Sequence, residues 1–198
     1  MSTRIDWGGL ALLTLRAPSE AAHIVTGLNL PRDVLWSALA LVAIFNTVLF
    51  SVSEMISPVS TPIPDTFANP FVFFVIVAGG LLVSVAAFYW TGRVLGSSAS
   101  SIDDLLALMV WLQALRAAAQ AVVIVLMVVS PVLGSLLVFA ASIFAVWILL
   151  HFLSVGLKLD SLWRAFGVLV AGSLALILGL SVILSFTGIG AMGLNSNV

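Results

Sequence analysis

Charge is what this chain has least of. Among its 198 residues 8% are Asp, Glu, Lys or Arg, the net charge is −1 and 62% are hydrophobic. A water-soluble domain carries about a quarter of its residues as charge, so this composition excludes an ordinary soluble surface. A mean hydropathy of +1.28 points to lipid as the solvent. Cysteine is missing altogether, which rules out disulfides, thiolate metal sites, cysteine nucleophiles and palmitoylation. No basic tract exists, so neither nucleic acid nor a polybasic lipid contact is predicted. There is no HExxH, nucleophile elbow, phosphate loop or pair of intramembrane carboxylates. The sequence therefore predicts no catalytic residue, no cofactor and no metal site, and the expected protein is not an enzyme.

What the chain does have is long apolar runs. A helix needs about 20 apolar residues to cross a bilayer, and such runs occupy about 33–55, 70–93, 102–129, 131–154 and 161–187. The predicted fold is all-α, a polytopic membrane bundle of five transmembrane helices preceded by a short interfacial helix. Pro58, Pro62, Pro64 and Pro70 make the first connection an extended loop. Tyr89 and Trp90 suit an interfacial aromatic belt, and Gly92, Gly96 and the stretch 97–101 read as a turn. Ser101 is the expected N-cap of the third span, with Asp103 and Asp104 facing its positive end. Ser130-Pro131 forces a tight reversal.

Residues 1–32 read as a cytoplasmic segment. In it Pro18, Ser19 and Glu20 start a helix that Gly27 stops, with Ala21, Ala22, Ile24, Val25 and Leu28 as its apolar face. The run from Leu10 to Leu15 is interrupted by Arg16 and reads as no removable signal peptide. Residues 188–198 form an uncharged, loose tail.

Threading the spans in order puts Arg4, Arg16, Arg32, Arg93, Lys158 and Arg164 on one side, with only Glu54 and Asp65 charged on the other. The positive-inside tendency then predicts a cytoplasmic amino terminus and a periplasmic carboxyl terminus; the compactness of the chain points to a bacterial inner membrane first and a eukaryotic endomembrane second.

Arg116 alone among the basic residues falls inside a span. Gln113, Arg116 and Gln120 share a helix face, and such a stripe should point into the bundle or a wet cavity. One reading is an anion, headgroup or conduction site with Asn46 of the first span as a neutral partner. The competing one has Arg116 snorkel toward its helix start and bond Gln113 or loop carbonyls. His151, four residues after Trp147, suits an interfacial hydrogen bond better than a metal site or proton relay. Trp90, Asp103 and Asp104 are the other interfacial candidates. Gly167, Ala171, Ala175 and Gly179 recur every fourth residue and read as a helix-packing ridge, for packing within the chain or for contact with a second copy, with Gly80 and Ser84 as a shorter pair.

Several short units then stand in a telling order: Leu-Arg-Ala-Pro-Ser-Glu-Ala-Ala at 15–22, Gly-Leu-Asn-Leu-Pro-Arg at 27–32, and Tyr89, Trp90 and Gly92. They are followed by Ser-Ile-Asp-Asp-Leu-Leu-Ala-Leu at 101–108, Trp111-Leu112-Gln113, Arg116, Ser130-Pro131 and His151-Phe152. In this the chain resembles the Yip1 family of five-span membrane proteins, particularly its alphaproteobacterial branch. The resemblance implies a non-catalytic scaffold acting through partner proteins. Eukaryotic members place a sizeable cytoplasmic domain before the first span where this chain has residues 1–32, a departure that speaks against a small-GTPase partnership. The leading expectation is a membrane scaffold or accessory subunit that binds a larger complex or shapes the bilayer. Its partners would be lipids, other integral membrane proteins or a second copy of itself. The alternative is a small transporter, channel or lipid-handling protein working at Arg116.

Overall fold

The structure is a computed structural model describing residues 6–56, 69–97 and 101–186, with side-chain detail to Val182. The described residues form seven helices and no strand. They are α1 (Trp7–Arg16), α2 (Pro18–Gly27), α3 (Arg32–Ile56), α4 (Pro70–Val94), α5 (Ile102–Val129), α6 (Pro131–Gly156) and α7 (Leu162–Phe186). The last five are long and apolar enough to cross a membrane. The proline-rich loop and the carboxyl-terminal tail lie outside the described residues, as do Arg4 and Asp65.

Local chemistry fixes the helix ends. Asn69 and Ser101 accept from the backbone N–H of Phe71 and Asp103, opening α4 and α5. Ser130 closes α5 through its own N–H to Leu126 and opens α6 by accepting from Leu133 at the N-cap, with Pro131 at N1 where its missing N–H costs nothing. Within the spans, Thr47, Ser84, Thr91, Ser135 and Ser142 each donate to the carbonyl four residues back. That satisfies a hydroxyl that lipid cannot.

Two expectations change here. The amino-terminal segment contains a second helix, α1, that the sequence reading missed. Asp6 caps it by accepting from Gly9 and Arg16 sits in its last turn, so the charge that seemed to interrupt the apolar run in fact closes a helix end. Gly92 lies inside α4 rather than in the following turn, because the helix continues to Val94; the turn itself is carried by Gly96 at φ 94°.

The spans form a ring in the order α3, α4, α7, α6, α5, with α4 also touching α5 across it; α1 and α2 pack on each other and on α5 and α6. Burial is uneven along the bundle. Val85, Phe88 and Gly92 of α4, residues 105–110 of α5, Ile148, Phe152, Leu153 and Gly156 of α6, and Ala165, Val168 and Gly172 of α7 are buried. By contrast residues 70–84 of α4, 118–129 of α5, 135–147 of α6 and 173–182 of α7 include no buried position. The tight half is the one that α1 and α2 join by packing on α5 and α6. In the loose half α3 keeps buried positions at Asn46, Thr47 and Leu49, while many apolar side chains of the spans are exposed.

Candidate functional site

In the loose half, α3, α4 and α5 line an open cleft of about 490 Å³. Asn46 and Phe50 line it from α3, a turn apart. From α4 come Phe73, Ile76, Val77, Gly80, Leu81 and Ser84, and from α5 Gln113, Arg116 and Gln120. The structure thus brings together all four residues of the intramembrane polar candidate set. Gly80 has no neighbour within 4 Å of where a Cβ would be; with Ser84 it widens the wall instead of drawing two backbones close.

Arg116 sits at the midpoint of the 28-residue α5, a helix about 42 Å long at 1.5 Å per residue. It makes no hydrogen bond or ion pair with any described residue; the bond to Gln113 that snorkelling would use is not formed. Asn46 donates to the Val42 carbonyl at 2.8 Å and Ser84 to that of Gly80 at 2.7 Å. No fully buried side-chain nitrogen or oxygen among the described residues lacks a partner; Arg116 is exposed and Gln113 and Gln120 are half-buried, so none of their N–H groups is sealed inside protein. Phe50 and Phe73 stack with centroids 4.1 Å apart at its far end, a contribution invisible until α3 and α4 are placed side by side.

The other candidates scatter. His151 Nδ1 is 2.8 Å from the Trp147 carbonyl and its ring meets that indole edge-on. Trp90 is exposed beside Tyr89. Asp103 pairs with Arg32 at 3.1 Å, joining the starts of α5 and α3, and Asp104 lies with it in a small hollow beneath Thr26 and Asn29. Because both charges of that pair reach solvent, Asp103→Asn should cost less than about 1 kcal/mol, read as an almost unchanged unfolding midpoint in detergent.

The small-residue ridge on α7 is not the stripe that packs within the chain. Ala175 and Gly179 are exposed and Gly179 has no neighbour within 4 Å; the buried stripe is Ala165, Val168 and Gly172, with Gly172 against Phe88 of α4. A Cβ added at Gly167 would meet Leu95 at 3.7 Å, and Ala171 is half-buried. Spacing alone could not say which of two adjacent small-residue stripes faces α4.

The amino-terminal hairpin is the second place where polar groups meet inside the bundle. Trp111 donates from its indole nitrogen to Thr14 at 3.1 Å and packs its ring 5.7 Å from that of Trp7. Thr14 is fully buried and itself donates to Leu10. Among the described residues no group of three or more His, Asp or Glu side chains gathers to hold a metal ion.

Five membrane-length helices, three of them lining a polar cleft, with a helical hairpin packed on the bundle, define a polytopic helical membrane protein. The Yip1 domain matches residues 12–183, which takes in all five spans and most of the hairpin, and the chain belongs to the Yip1 family. Comparison with curated proteins gave no match, and comparison with solved structures gave none either.

Proposed function

We propose that this protein is a non-enzymatic organiser of the bilayer around it, acting through the α1–α2 hairpin. One observation carries the reading: the hairpin packs against one half of the bundle only. On α5 it contacts Trp111 and, nearer the helix start, shares a small hollow with Ser101 and Asp103. Trp111 is nine residues into that helix, a rise of about 13 Å where one leaflet of a 30 Å hydrocarbon core offers about 15 Å. Helices about 10 Å wide inserted at that depth enlarge the protein in one leaflet and not in the other.

The outer face of the hairpin suits lipid. Trp7, Leu12 and Leu15 of α1 and Ile24 of α2 are exposed, with Asp6 and Arg16 at the two ends of α1. Keeping each leucine out of water stabilises the seating by about 1.5–3 kcal/mol. A body wider on the hairpin side fits a membrane whose hairpin-side leaflet is convex. The test is reconstitution into vesicles of mixed size with the hairpin side outward, reading protein per unit lipid on each vesicle. Density should rise several-fold as diameter falls, and Leu12→Glu with Leu15→Glu should flatten the dependence while the spans remain folded. Equal density on small and large vesicles for the unaltered protein would sink the proposal.

A further inference from the structure

The geometry points to the α3–α4–α5 cleft as a binding site for an oxyanion of the phosphate class, held on Arg116. This goes beyond the bilayer reading and is independent of it, since no residue of the hairpin is among the residues that line the cleft. A guanidinium is a permanent cation, and placing one at the centre of a transmembrane helix costs about 2.5–3.5 kcal/mol on insertion scales. Chains offset that cost with a carboxylate or with helix carbonyls, and Arg116 has neither among the described residues. Both described ion pairs are at helix ends. Glu54, one turn beyond Phe50 on α3, is not among the lining residues.

The lining also selects the ligand. Arg116 offers up to five N–H donors in a planar fork that matches two oxygens of one phosphate. Gln113 and Gln120, one turn to either side, add amide N–H groups with no partner among the described residues. Asn46 has spent an amide hydrogen on Val42, so its carbonyl remains to accept from a hydroxyl, such as the P–OH of hydrogen phosphate or the glycerol of a headgroup. Among the described residues no carboxylate lines the cleft. A cation therefore finds no counter-charge, and an apolar ligand would leave every donor unpaired. The cleft volume of about 490 Å³ falls within the 300–1,000 Å³ usual for small-ligand sites, enough for free phosphate with water or for a lipid headgroup. Phe50, Phe73, Ile76, Val77 and Leu81 supply apolar wall beside the polar floor.

Two arms of one experiment separate the sources. Delipidated protein in neutral detergent is titrated with inorganic phosphate, by calorimetry and by its unfolding midpoint. In parallel it is offered phosphatidylglycerol in mixed micelles, and lipid retention is read by native mass spectrometry. Binding in either arm is expected to fall about ten- to hundredfold in Arg116→Gln, the equivalent of losing a charge-assisted hydrogen bond. Arg116→Lys keeps the charge without the fork and should fall between. Should Arg116→Gln not fold, Gln113→Leu with Gln120→Leu tests the same site with the charge intact and should weaken binding too. Saturation by phosphate identifies a free anion, and retention of lipid alone identifies a headgroup. No binding in either arm, or binding indifferent to these substitutions, overturns the assignment.

Discussion

Gly172→Leu should destabilise the bundle by about 1–3 kcal/mol or more, the usual cost of overpacking, while Gly179→Leu one stripe away should leave stability unchanged or slightly raised. A Cβ on Gly172 would lie 2.5 Å from Cδ1 and 2.9 Å from Cε1 of Phe88. Phe88 is itself buried, so its ring has nowhere to retreat, and α4 must move off α7. Nothing lies within 4 Å of a Cβ on Gly179; there the added side chain meets lipid, and the helix gains up to about 1 kcal/mol from replacing glycine. Unfolding of the pair in one detergent measures the contrast. Equal loss at both positions would mean that the predicted ridge, not the observed stripe, faces α4.

The same comparison shows which parts of this fold were legible. Length and hydropathy located five long helices because a span has to be apolar throughout. The caps at Ser101 and the reversal at Ser130-Pro131 were legible because an N-cap needs a side-chain acceptor and Pro is cheap at N1. Helix rotation was not legible. In lipid the outward face is as apolar as the inward one, so α4 and α6 carry no stripe to read, and the choice between Gly172 and Gly179 rests on where Phe88 arrives from another helix. α1 was missed for a related reason: its apolar residues form a short run, and Arg16 looked like an interruption until Asp6 is seen capping the other end.

For the candidate site the balance is reversed. Polar residues are costly inside a span, so Gln113, Arg116 and Gln120 stood out in the sequence and share the cleft in the structure. What they face was hidden, because Ser84, Phe50 and Phe73 are ordinary residues of membrane helices until α3 and α4 adjoin α5. Trp111 was likewise noticed only as part of a family-like string, since its partner Thr14 lies 97 residues earlier in the chain.

Trp111→Ala is expected to release the hairpin while leaving the five spans in place. The indole is the point where α1 is tied to α5, by the hydrogen bond to Thr14 and the ring contact with Trp7. Truncating a packed tryptophan costs about 3–5 kcal/mol, and the lower end applies because Trp111 is half-buried. Thr14, fully buried in the intact protein, also loses the N–H that its hydroxyl accepts, which adds to the loss. A destabilisation of about 3 kcal/mol raises the open population roughly a hundredfold. The chain has no cysteine, so a single Cys in place of Leu10, a buried α1 residue, reports that population through its rate of maleimide labelling. The rate should rise on the order of a hundredfold in Trp111→Ala, and by less in Trp111→Phe, which keeps a ring against Trp7 but not the N–H. If the hairpin is what makes the protein wider in one leaflet, Trp111→Ala should also lose the preference for small vesicles without altering phosphate or lipid binding at Arg116. Losing both together would mean that the two halves of the bundle are coupled through α5.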